Sequence, residues 1–312
     1  MIKDKQVWKA WWKAARPPFY IATLVPLILA YLAAEKFYSG PEPETSRVLV
    51  FSGAFIVCLA LHLCSNLANE LFDYLAGTDS GQSIGGTGAL SGGLITPGQI
   101  RRVLLILYAL TFILTAFGVW LTGLYWLGAI ALFAAACTYF YVAPPIRYGY
   151  HAMGELFVFL NMGLLISGGV YYALTGAFSA PLLALSLPVG LMVAGILYFQ
   201  SLPEIETDKA AGKKTLAGVL GPEKAIFLHL LLWPVIWLLM LTLWLGGLCA
   251  WPVLPGIVAC LPLHIKTCLR LQRVASAPEN EQNWLGLDKY GWLVRAMYLL
   301  CGVSLIWAVA IL

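Results

Sequence analysis

Apolar residues run along this chain in blocks too long for the elements of a soluble core. Near 18–35, 48–72, 103–121, 125–143, 154–173, 181–202, 225–246, 250–269 and 291–311 the sequence stays mostly apolar. A helix crossing hydrocarbon needs about 20 such residues, because every backbone N–H and C=O must be satisfied inside the segment. The pattern predicts an all-α polytopic membrane protein with about nine transmembrane helices. Residues 1–312 read as a single transmembrane domain, without a soluble module or short-period repeat. Ahead of the first block, Trp8, Trp11, Trp12 and Ala15 share one helical face with lysines beside them. Residues 1–16 are therefore expected to form an amphipathic helix at the membrane interface. Thr96-Pro97-Gly98-Gln99 has the form of a capping box with proline at the first helical position, restarting a helix at about 97.

Composition agrees with the pattern. Hydrophobic residues are 61% of the chain and charged residues 11%, where a soluble domain carries roughly 25% charge. A soluble enzyme, a disordered chain and a nucleic-acid binder are excluded. The seven cysteines form no Cys-x-x-Cys pair, so neither a disulfide framework nor a zinc site is suggested. Charge placement sets orientation. With the N-terminus cytoplasmic, all of the 19 basic residues except Lys36 and Arg47 fall on the inner side. The inner connections at 73–102 and 203–224 are long and polar and the outer ones short, so the chemistry is expected at the cytoplasmic face.

Six of the 15 acidic residues lie in two inner clusters, each directly after an apolar block. At 100° per residue, His62, Asn66, Asn69 and Asp73 fall in one narrow arc. Gln200, Glu204 and Asp208 form a second stripe, kinked by Pro203, with Glu206 pointing away. Carboxylates at this depth are costly unless paired or bound to a cation. One stripe alone would read as a polar loop; two similar stripes facing a cavity suit Mg²⁺, which takes a few carboxylates, waters and phosphate oxygens. Lys209, Lys213 and Lys214 follow the second stripe, as a diphosphate site requires. The glycine-rich stretch after Asp79 permits close backbone approach to a ligand, but no Gly-Lys-Ser/Thr makes it a Walker loop.

These residues resemble the UbiA superfamily of intramembrane prenyltransferases, along most of the chain from about Arg16 to Gly221. Asn69-x-x-x-Asp73 with Asp79 is similar to the first aspartate-rich motif, although Gly77 stands where the commoner form has its last aspartate. Pro203-Glu204-Ile205-Glu206-Thr207-Asp208, followed by Gly212-Lys213-Lys214-Thr215-Leu216, resembles the second. Glutamate replaces the usual aspartate at Glu70 and Glu204. Arg16-Pro17 resembles the family's arginine–proline start, and Asn-Glu-Leu-Phe-Asp-Tyr at 69–74 followed by Gly77-Thr78-Asp79, with Tyr141-Val142-Ala143-Pro144-Pro145-Ile146-Arg147-Tyr148 and Gly154-Glu155, resembles the menaquinone branch, whose enzymes prenylate 1,4-dihydroxy-2-naphthoate. The resemblance implies nine helices around a central cavity open to lipid, Mg²⁺ held by the two motifs, a polyprenyl diphosphate donor and an aromatic acceptor. It also implies a bacterial inner membrane with the active site facing the cytoplasm.

On this reading Asn69, Asp73, Asp79, Glu204 and Asp208 hold Mg²⁺ around the diphosphate. Lys213, Lys214, Arg147 and Arg16 neutralise the leaving group, with Asp73, Asp208, Lys213 and Arg147 carrying catalysis. Asn66, Tyr141, Gln200 and Lys209 complete the substrate-binding set. Tyr139, Tyr141, Tyr198 and Phe199 are candidates to face an allylic cation, against the simpler reading as packing. His62 as a base competes with the commoner buried, satisfied histidine. Glu155 reads as a helix-dipole partner. Three alternatives stand beside this one: the same chemistry on 4-hydroxybenzoate, homogentisate or a glycerophosphate lipid; a transporter, which would show broken or charged helices at mid-membrane; and a head-group transferase, whose Asp-Gly-x-x-Ala-Arg pattern is absent.

Overall fold

The structure is a computed structural model that describes residues 2–41, 45–78, 87–276, 284 and 286–312. Each predicted apolar block holds a helix. They are α2 (Ile21–Phe37), α3 (Arg47–Ala76), α4 (Pro97–Thr122), α5 (Trp126–Phe140), α6 (Gly154–Thr175), α7 (Ala180–Ser201), α10 (Pro222–Leu245), α11 (Val253–Ala275) and α12 (Gly291–Ala310). The short helices α8 (Ile205–Ala210) and α9 (Leu216–Leu220) lie in the connection after α7, and α1 (Ile2–Ala15) precedes the bundle. Among the described residues, seven helices are long and apolar enough to span a bilayer alone. The segment before Phe19 and α2 pass that test only together, as a pair bent by 46°, and α5 is shorter than a usual span. Leu105, Phe112 and Leu245 are each more than 70% exposed. Such apolar surface aggregates in water and is matched by lipid tails. The molecule is a multi-pass membrane protein.

The helices form two packed groups. One core joins α2, α6, α7, α10, α11 and α12 through residues such as Leu29, Leu185, Trp233 and Tyr298. The other joins α1, α3 and α4 through Ala10, Ala14, Leu67, Leu71, Ile100 and Leu104. The seam of α1 is Ala10 and Ala14, whose small side chains allow close approach to α3, while Trp8 and Trp12 face outward. The sequence reading placed Trp8, Trp11 and Trp12 on one face; of these Trp11 alone packs against this core.

Helix ends follow the local chemistry. Thr96 caps α4 with Gln99 in a reciprocal box, as expected. Gly77 ends α3 at φ 76°, a left-handed geometry that glycine adopts freely. Where α6 crosses α7, a Cβ on Gly163 would stand 2.6 Å from the Gly190 Cα, so the two backbones touch.

Candidate active site

Between the two packed groups lies a cavity of about 480 Å³, walled by apolar side chains of α2 to α7. It adjoins a polar chamber of about 340 Å³. Arg16, Phe19, Asn69, Tyr141, Leu197 and Gln200 line both spaces and mark their boundary. Thus an apolar sleeve leads into a charged mouth.

Both acidic clusters meet in that mouth. Asp73, near the end of α3, and Asp208, on α8, are bridged by the Lys213 ammonium at 3.9 and 3.5 Å. These carboxylates are 135 residues apart in the chain by number, and one cation holds both. Burial works against the Lys213 charge, but Asp73 and Asp208 outweigh it and hold its pKa above the ordinary lysine value. The second stripe is not one kinked helix: α7 ends at Ser201 and α8 begins at Ile205, with Pro203 in the break. Gln200 and Glu204 still reach the mouth. Glu206 is exposed, as its phase predicts.

The other predicted residues separate into those in the walls and those outside. Asn66 donates to the Ala15 carbonyl at 2.9 Å and lines the apolar cavity. Arg16 sits at φ 51° between α1 and Pro17, which turns the chain into the bundle and brings its side chain to the boundary. Arg147 lies over the Tyr150 ring, 5.6 Å from its centroid, outside both cavities. Lys209 and Lys214 are exposed and outside the walls. The Lys214 backbone instead pairs with the 148–152 turn, giving its N–H to Tyr150 O and accepting from Ala152 N. Asp79 lies outside the described residues. Tyr141 alone of the four aromatic candidates lines the cavities; Tyr198 donates to the Ala225 carbonyl in the core, Phe199 is buried there, and Tyr139 packs on Phe72. His62 contacts Thr23 Oγ1 at 2.6 Å on the cavity wall.

Three features come from the tertiary arrangement rather than from a motif's own spacing. The Tyr150 hydroxyl donates to Asp73 Oδ1 at 2.6 Å, fixing that carboxylate from behind. Glu70, grouped with the first motif by sequence, does not itself line the mouth; it is buried and accepts at 2.7 Å from the hydroxyl of Thr87, which does. It ties down the returning chain at 87–90. Arg295, from the last helix, also lines the mouth, together with Asp288 and Glu155. Tyr150 was findable only as a neighbour of Arg147; the register that joins it to Asp73 is tertiary.

Oxygen donors remain for a cation. Asn69 Oδ1 and Asp208 Oδ2 are buried without a hydrogen-bond partner. Buried polar atoms are rarely left so, and an ion is one remedy. Among the described residues no three His, Cys, Asp or Glu side chains close around a point.

An apolar sleeve opening into a mouth of carboxylates, amide oxygens and cations has the form of an intramembrane enzyme's site, suited to a molecule with a long apolar tail and an anionic head. The sequence comparisons make the class specific. The model of the UbiA prenyltransferase family matches residues 17–285. The chain belongs to that family and is a prenyltransferase. It is 29% identical over 217 residues to the 1,4-dihydroxy-2-naphthoate octaprenyltransferase of Bacillus subtilis, covering 70% of this chain and 68% of that one. The Haemophilus influenzae enzyme of the same name is 28% identical over 240 residues, 74% of this chain and 75% of its own. Among solved structures, a UbiA homolog from Archaeoglobus fulgidus bound to DMAPP and Mg²⁺ superposes with a TM-score of 0.55 at 17% identity, covering 94% and 99% of the chains. A digeranylgeranylglyceryl phosphate synthase gives 0.62 at 19% identity, over 98% and 100%.

Proposed function

We propose that this chain transfers a polyprenyl group from a polyprenyl diphosphate to 1,4-dihydroxy-2-naphthoate, a step of menaquinone biosynthesis, with Mg²⁺ in the charged mouth. The observation that carries the reading is the meeting of Asp73, Asp208 and Lys213 where the apolar cavity ends. The names of the Bacillus and Haemophilus relatives support the acceptor.

Asn69, Asp73, Glu204 and Asp208 would hold Mg²⁺, and the two unpartnered oxygens fit that role. When bound, the ion offsets the diphosphate charge and stabilises it as a leaving group. Lys213 adds a fixed positive charge beside the same oxygens, and Arg16 a second at the boundary. The prenyl tail lies in the apolar cavity, which removes it from water. The allylic C–O bond breaks with its electron pair leaving on the diphosphate. A ring carbon of the acceptor supplies the pair for the new C–C bond, and the ring then loses a proton or its carboxyl group as carbon dioxide. Tyr141, at the boundary, offers an aromatic face to the developing cation. The basic inner segments support a cytoplasmic mouth in a bacterial inner membrane.

The test is incubation of purified protein with Mg²⁺, geranyl diphosphate and a panel of naphthoate, benzoate and homogentisate acceptors, with products identified by mass spectrometry. Wild type should prenylate the naphthoate. Asp73→Ala and Asp208→Ala should each lose more than about 100-fold in rate while remaining monodisperse in detergent. Undiminished turnover in either variant would overturn the proposed site.

A further inference from the structure

We propose that Arg295 is the residue that binds the carboxylate of the aromatic acceptor. The inference rests on the function proposed above and assigns its acceptor subsite. It lies beyond the span matched by the family model, which ends at residue 285.

The mouth has two sides of different chemistry. Asp73 and Asp208 form one, with the Lys213 ammonium between them. Arg295 stands on α12, reaching the mouth from the last helix of the bundle. Among the described residues it forms no ion pair within 4.0 Å; its guanidinium faces the Phe19 ring, 5.1 Å from the centroid. Asp288, the nearest acid of its own segment, lines the same chamber and is the charged group that acts on it. One turn further on, the Tyr298 hydroxyl lies 3.2 Å from the carbonyls of Ile21 and Ala22. That contact fixes α12 against the start of α2 and holds Arg295 beside Phe19.

Phe19 belongs to the walls of both cavities. A guanidinium lying against a ring at that boundary offers two complementary surfaces. The ring packs a flat aromatic body, and the guanidinium fork takes a planar carboxylate through two parallel hydrogen bonds. A diphosphate would instead be drawn to the cation that Asn69 and Asp208 would hold, with the Lys213 ammonium beside it. An acceptor held by Arg295 thus presents its ring to the boundary where the tail's reactive end emerges.

The experiment compares wild type, Arg295→Gln and Arg295→Lys with geranyl diphosphate and either 1,4-dihydroxy-2-naphthoate or 1,4-dihydroxynaphthalene, which lacks the carboxylate. Arg295→Gln should raise KM for the naphthoate at least about tenfold and leave KM for geranyl diphosphate within about twofold. With the decarboxylated acceptor, wild type and variant should be alike, and Arg295→Lys should recover part of the loss. A melting curve for each variant in detergent separates misfolding from lost recognition. The inference is overturned if both acceptors suffer equally, if the donor KM rises instead, or if nothing changes. A wild type that prenylates only acceptors without a carboxylate overturns the proposed function as well.

Discussion

Lys213 and Tyr150 show how single side chains prepare this site. Two carboxylates brought to one buried place repel each other, and an ammonium between them removes that penalty. Tyr150 restrains Asp73 from the other side with a short hydrogen bond to a charged acceptor, a type worth about 1.5–3 kcal/mol. Tyr150→Phe should therefore lower kcat/KM for the prenyl diphosphate about tenfold or more and lower the melting temperature by a few degrees. Steady-state kinetics beside a thermal melt would check it. Lys213→Met leaves two buried acids without their cation, and we expect loss of activity together with a melting temperature more sensitive to Mg²⁺ than that of wild type. A metal-independent melt in that variant would contradict the arrangement of donors described above.

At the scale of elements, the site depends on how closely helices approach. Gly163 on α6 and Gly190 on α7 let two backbones touch beside the cavity. A methyl group there has only backbone to displace, so Gly163→Ala should destabilise the bundle by about 1–3 kcal/mol. Denaturation in mixed micelles would measure it, and an unchanged midpoint would show that the crossing can open at no cost. The break between α7 and α8 belongs to the same scale. A continuous helix through Pro203 would carry Asp208 along the direction of α7, whereas the turn after Ser201 aims the chain across the mouth. The backbone pairing of Lys214 with Tyr150 and Ala152 then locks that turn to the far loop.

For the whole molecule, the proposed function seats the prenyl tail in the apolar sleeve, whose depth would then limit tail length. Gly53 lines the cavity, and a Cβ built on it meets nothing within 4 Å. Gly53→Phe should fill that space while the protein stays folded, and shorten the longest prenyl diphosphate that it turns over. Product lengths by mass spectrometry would show this; an unaltered length range would place the tail elsewhere. Orientation is testable on the same scale. A single cysteine at Lys9 in a cysteine-free background should react with an impermeant maleimide only from the cytoplasmic side, and one at Lys36 only from the opposite side.

The sequence alone determined the helices, because burial in hydrocarbon demands long apolar runs and leaves little freedom in where they start. It also determined which polar residues were costly enough to need a purpose: Asn69, Asp73, Glu204 and Asp208 were legible because carboxylates and amides beside apolar spans stand out against so little charge. What only the tertiary structure decided is which of these face one another. Helical phase relates residues within a few turns, but the placement of Lys213 between two aspartates, Tyr150 behind one of them and Arg295 beside Phe19 comes from packing among segments distant in the chain. Glu70 marks the limit of motif reading. Next to the first motif in sequence, it stands off the stripe of Asn69 and Asp73, since one residue's step rotates a helical side chain by 100°, and there it fastens a loop.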